Sequence, residues 1–178
     1  MLMTWLDLIQ DLPDAWLGAG AIIQNVWNVL HDLPLNTHLK DIDVLYYEND
    51  LTWEREDDWI QRVQREARQR GLTLPVDVKN VARIHLWYSE KFGDPQDYPP
   101  FEHVGESVYT WPFTAAAVAV QQAPEGHLSF VAPFGFQDLF SMRLRPNLGR
   151  VSLEVCQEKA RRWQAQWPQL TTVGLRYT

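Results

Sequence analysis

Leu17-Gly18-Ala19-Gly20, followed along the chain by Lys40-Asp41-Ile42-Asp43-Val44, decides the fold. Ala15 to Gly18 reads as a short apolar strand. Ala21 to about His31 reads as a helix whose Ile22, Ile23, Val26, Trp27, Val29 and Leu30 form a wide apolar stripe. Ile42 to Tyr47, rich in β-branched and aromatic residues, reads as the next strand. Glycines at a strand-to-helix turn let backbone approach an anion closely, and the helix start adds free N–H groups and the positive end of its dipole. Gly18, Ala19 and Gly20 therefore predict a phosphate seat. On a strand, Asp41 and Asp43 share one face, roughly 6.5 Å apart along it at about 3.3 Å per residue, while Ile42 and Val44 face the core. Two carboxylates on one face suit a divalent cation. Magnesium takes a few carboxylates plus substrate phosphate oxygens, and two ions about 3.5 to 4 Å apart would activate an attacking oxygen and stabilise the leaving one.

Outward from this stretch, residues 4 to 12 predict a helix with Thr4 as its cap and Pro13 as its stop. A charged helix is expected from Thr52 to Arg70, ended by Gly71, and a third strand over Leu74 to Val78. That strand carries Asp77. If it lies beside the Asp41 strand, Asp77 joins the other two acids, where it could bind metal or take a proton from an acceptor hydroxyl; on an edge strand it is simply a solvated acid. Residues 81 to 92 predict a helix ended by Gly93, or a strand, and Asp94 to Phe101 a Pro-rich loop, extended by the stretch to Val108, that could serve as a lid. Thr114 to Val120 and Leu128 to Ala132 read as strands of a hairpin joined through Pro124, Glu125 and Gly126. Leu153 to Trp167 reads as a helix with Val155, Ala160, Trp163 and Trp167 available to pack. Strands and helices mixed around a small sheet give an α/β (α+β) class.

The 178 residues fit one domain, and 46% hydrophobic content allows a full core. Nine tryptophans are read first as core, though one beside a cleft could stack on a base. Cys156 has no cysteine to pair with, no Lys or Arg precedes Lys40, and the longest purely apolar run is Ala115 to Val120. A soluble protein of a reducing cytoplasm, without targeting peptide or membrane span, is expected. Net charge is −7, but residues 1 to 140 carry 9 basic and 21 acidic groups while 141 to 178 carry 7 and 2. The acidic body argues against non-specific duplex DNA binding. The basic tail could hold phosphates or merely offset the acids. Among the cations, Lys40 could steady a phosphate, Arg83 and His85 could face a nucleotide, and Arg143 or Arg145 could reach a triphosphate. Each has a bland alternative as a paired or solvated side chain.

The ordered pieces Trp16-Leu17-Gly18-Ala19-Gly20-Ala21-Ile22, Lys40-Asp41-Ile42-Asp43-Val44, Val76-Asp77-Val78-Lys79-Asn80-Val81-Ala82-Arg83, Ala132-Pro133-Phe134-Gly135-Phe136-Gln137-Asp138-Leu139-Phe140 and Arg145-Pro146-Asn147 carry a resemblance. They resemble the nucleotidyltransferase-like proteins, mostly bacterial, of the DNA polymerase beta nucleotidyltransferase superfamily. The resemblance covers most of the chain. It implies a single domain over 1–178 with a basic C-terminal helix within 151–168, and a small mixed sheet flanked by helices. It also implies Mg2+, in two ions, on Asp41, Asp43 and Asp77, and NTP phosphates near Gly18, Ala19 and Gly20. The implied activity is transfer of a nucleoside monophosphate from an NTP to an acceptor. Ala19 interrupts the glycines and the interval from Gly20 to Asp41 is long, so a non-catalytic descendant that binds a nucleotide or a partner protein is the alternative. A toxin-antitoxin component is also compatible with the fold.

Overall fold

The computed structural model describes residues 1–92, 98–123, 125–149 and 151–175. Its elements run α1 (Leu2–Ile9), β1 (Trp16–Leu17), α2 (Ala19–Leu30), β2 (Ile42–Tyr46), α3 (Trp53–Gln69) and β3 (Val76–Asn80). A 3-10 turn over Val81–Leu86, α4 (Tyr88–Phe92) and α5 (Val104–Tyr109) follow. A 3-10 turn over Thr114–Ala116, β4 (Ala119–Gln122), β5 (Leu128–Val131), α6 (Gln137–Phe140), β6 (Arg143–Leu144), α7 (Leu153–Gln166) and β7 (Thr171–Thr172) complete the chain. They fall into two compact units, one of Met1–Gly18, Lys40–Ser107 and Val120–Ser129, the other of Ala19–Leu39, Val108–Ala119 and the chain from Phe130 onward.

The first unit is organised by a mixed sheet of order β3-β2-β1-β4-β5, in which β2 and β3 are parallel and β1 runs antiparallel to both β2 and β4. Parallel neighbours need a long connection, and α3 supplies it. Thr52 starts α3 by accepting a hydrogen bond from the Arg55 N–H, and Gly71 lies just past its end at φ +69°, a left-handed conformation that suits glycine. The helix buries Glu56, Trp59, Val63 and Ala67, one stripe at three- and four-residue intervals. Beneath it, Ile42, Val44 and Tyr46 of β2 are fully buried. One buried acid among apolar residues needs partners. Glu56 accepts a hydrogen bond from the Asn80 N–H at 2.8 Å and pairs with Arg83, while the Asn80 side chain bonds the backbone of Glu48, Asp50 and Ala82.

The core of the second unit gathers tryptophans. Trp27 of α2 meets Trp163 and Trp167 edge to face, with ring centres 5.1 and 5.3 Å apart. Both indole N–H groups are satisfied, Trp27 to the Leu139 carbonyl and Trp167 to Asn28 Oδ1. Cys156 and Ala160 are buried with them, and burial pushes the Cys156 thiol pKa up. Core packing thus accounts for these tryptophans, as it does for Trp5 and Trp59 in the first unit.

Several expectations need correction. The first helix starts at Leu2 rather than Thr4, and β3 runs two residues later than read, with Asp77 inside it as expected. Residues 81 to 92 form a 3-10 turn and a short helix rather than one helix. The loop read through to Val108 contains α5, because Phe101, Val104 and Val108 are buried. Residues 94 to 97 of that loop, Gly93 and Pro124 lie outside the described residues. The strand read over Thr114 to Val120 is a 3-10 turn followed by β4: these small residues are buried on every side, so they carry no alternation. Val155 of α7 faces solvent, as does Val29 of α2.

Candidate active site

The acids are placed by the parallel pairing of β2 with β3, which sets Asp43 opposite Asp77. Neighbouring strands lie about 4.8 Å apart, so the two carboxylates leave one face as neighbours. Asp43 is half-buried and Asp77 is exposed. Their register is held from the other face, where Ile42, Val44 and Val78 are buried, because a slip of one residue would turn the carboxylates into the core and the valines out. Asp41 stands immediately upstream of β2 and is exposed, as is Lys40 before it. The third acid therefore does lie on the strand beside the first two. Among the described residues, no group of three metal-ligating side chains is gathered closely enough to hold an ion.

Gly18 is tied to the same strand. Its N–H donates to the Asp43 carbonyl at 2.8 Å, alongside the β1–β2 pairing of Leu17 with Val44. Ala19 and Gly20 follow it as the first two residues of α2. A helix's first N–H groups have no partner within its own ladder, which is the position of Ala19 and Gly20, whereas the Gly18 N–H is already engaged.

Sequence reading missed Lys79. It leaves the acid face two residues after Asp77, and its Nζ forms an ion pair with Asp77 Oδ2. The signal was available, since i and i+2 of a strand share a face.

Two other candidate cations are paired with acids of their own units. Arg83 follows the C-terminal end of β3, and Asn80 at that end is already about 10 Å along the strand from Asp77. Its guanidinium pairs with Glu56, donates from Nε to the Leu51 carbonyl at 3.0 Å, and lies over Trp53 with 5.5 Å to the ring centre. The structure does not bring it to the carboxylates. Arg145, in the second unit, donates from Nε to Asp138 Oδ2 at 3.0 Å, and the Thr114 hydroxyl donates to the same oxygen at 2.7 Å.

That contact makes a testable contribution to stability. Burial alone would raise the Asp138 carboxyl, but the hydrogen bonds from Arg145 and Thr114 and the charges of Arg145 and Arg143 outweigh it and hold the group below its ordinary value of 3.8. A carboxyl lowered in the folded state stabilises the fold above its unfolded value and loses that contribution as pH falls through the folded one. Arg145 is about half exposed, so the pair is worth less than ~1 kcal/mol. The stability difference between wild type and Asp138→Asn, from urea unfolding, should stay constant from neutral pH to just above 3.8 and shrink below it.

A family model described as nucleotidyltransferase matches residues 9–172. No functionally curated protein matches the chain by sequence. Among solved structures, an NMR structure that reveals a CCA-adding enzyme head domain is similar at TM-score 0.74 and 22% identity, covering 97% of this chain and 88% of that one. A tRNA-processing enzyme complex is similar at TM-score 0.53 and 16% identity, with 96% of this chain and 43% of that one covered. A tRNA-processing enzyme in an apo form gives 0.51 and 14%, with 96% and 45% covered. These likenesses show a shared fold.

Proposed function

The chain belongs to the nucleotidyltransferase family, and from that premise we propose that it moves a nucleoside monophosphate from an NTP to a hydroxyl or phosphate oxygen of an acceptor, in a magnesium-dependent reaction. The observation that carries this reading is the register that sets Asp43 beside Asp77, with Asp41 at the upstream edge of β2. The donor set fits the ion. Magnesium is a hard cation that takes one or two carboxylates and completes its shell with water and substrate phosphate oxygens, so a neighbouring Asp pair on an accessible face suits it. Asp43 and Asp77 would hold it, with Asp41 as the third proposed ligand although the three are not gathered in this structure. When bound, the ion neutralises charge developing on the phosphate oxygens.

In the transfer, the acceptor oxygen attacks the α-phosphorus and forms the new P–O bond. The bond from that phosphorus to the oxygen bridging toward the β-phosphate breaks, and the oxygen leaves with the electron pair as part of pyrophosphate. Asp77 orients an acceptor hydroxyl and takes its proton. Lys40, next to Asp41 in the chain, steadies phosphate charge. The first acceptor to offer is tRNA, because two of the similar structures are tRNA-processing enzymes.

The test is pyrophosphate release from each common NTP, with magnesium and with or without RNA, beside calorimetry of NTP binding. Magnesium-dependent release supports the transferase. A second reading, a nucleotide-binding protein without transfer activity, draws on the engagement of the Gly18 N–H by Asp43 and on the absence of a gathered three-ligand group among the described residues. Tight Mg·NTP binding with no release on any acceptor would favour it, and neither binding nor release would sink both.

A further inference from the structure

Lys79 is out of place in a dication site. Its side chain leaves the sheet on the face that carries Asp43 and Asp77, where its positive charge repels the ion those carboxylates would hold. Across the strand it stands opposite Leu45, an apolar residue, and its ammonium turns back along β3 to Asp77 Oδ2. The pair is open to water, with the lysine side chain 27% and the aspartate side chain 48% exposed. Accessible pairs of this kind contribute under ~1 kcal/mol, so little holds the lysine there against a doubly charged competitor. Lysine is also suited to moving, being a compact point charge on a flexible four-carbon stem.

Resting on the reading of Asp43 and Asp77 as dication ligands, we propose that Lys79 is a displaceable counter-ion. Its ammonium neutralises Asp77 while no dication is bound, and turns to the nucleotide phosphates when a dication takes the carboxylate. The unliganded acids are thereby kept from repelling each other, and the incoming triphosphate gains a cation in the same step. The ion and the nucleotide are coupled through this one side chain.

The experiment measures Mn2+ binding to the nucleotide-free protein by electron paramagnetic resonance, and binding of a magnesium-loaded non-hydrolysable NTP by calorimetry. The variants are Lys79→Met, Lys79→Gln, Lys79→Arg, Asp77→Asn and the double variant Asp77→Asn/Lys79→Met. Removing the positive charge should tighten Mn2+ binding about fivefold to tenfold and weaken NTP binding by a similar factor, while Lys79→Arg stays near wild type. Opposite signs in the two assays are what a merely structural lysine would not produce. The double variant should gain nothing over Asp77→Asn. Unchanged or weaker Mn2+ binding in both neutral variants, or unchanged NTP affinity, overturns the inference while leaving the acid site standing. Wild-type Mn2+ binding in Asp77→Asn instead removes Asp77 from the ligand set, and the Lys79 inference falls with it.

Discussion

Asp43→Asn is expected to cut magnesium-dependent pyrophosphate release about a thousandfold or more, while the urea unfolding midpoint barely moves. The size follows from what the carboxylate does in the proposed reaction. Losing a ligand that positions the dication forfeits several kcal/mol of transition-state charge stabilisation, and each ~1.4 kcal/mol is a factor of ten in rate. The fold is spared because the amide matches the carboxylate in shape and the side chain is half-buried on the accessible face, away from the buried Ile42 and Val44. Of the two acids in Asp41-x-Asp43, it is Asp43 that lies inside β2 with a carboxylate, Asp77, in register across the strand. Asp41→Ala should also abolish turnover, and full activity in an Asp41→Ala/Asp43→Ala double variant would end the transferase reading. Loss of activity accompanied by loss of folded structure would show that the acid supports the sheet instead, so circular dichroism belongs beside the rate assay.

Local chemistry made much of the first-unit architecture legible. The strand at Ile42 announces itself by β-branched residues, and α3 by the Thr52 cap, the charged face and Gly71, all of which act within a few residues of where they stand. The Asp41-x-Asp43 spacing and the order of glycines before acids are likewise local. Long-range partners are a different matter. Arg83 beside His85 reads as an available cation, but its role is set by Glu56, a residue 27 positions earlier whose burial on α3 cannot be inferred from its neighbours. The run from Thr114 to Val120 fails for another reason. A stretch buried on every side loses the alternation that distinguishes strand from turn, and only hydrogen bonding, such as the Thr114 N–H to the Arg145 carbonyl, decides its shape. Val104 and Val108 did carry a four-residue interval, overshadowed by the prolines before them.

Glu56→Ala is expected to cost about 3 to 5 kcal/mol of folding stability. Breaking this pair differs from breaking a surface one because both partners are withdrawn from water, with side chains 6% and 10% exposed. Truncation would leave the Arg83 guanidinium buried with the Leu51 carbonyl and the Trp53 ring beside it and no carboxylate partner among the described residues. It would also orphan the Asn80 N–H, which donates to Glu56 Oε1 at the C-terminal end of β3. A cavity and an unpaired charge then arise together. Glu56→Gln separates the contributions, since its amide oxygen can still accept from Asn80 while the negative charge is gone, and it should cost less than alanine. Removing the cation too, in Glu56→Gln/Arg83→Met, should recover part of the loss, because an apolar side chain in that space no longer needs a counter-charge. Urea denaturation of the three variants measures this directly. If Glu56→Ala unfolded within about 1 kcal/mol of wild type, the pair would be no more than a surface contact. The junction of α3 with the end of β3 would then rest on apolar packing by Trp59, Val63 and Val78 alone.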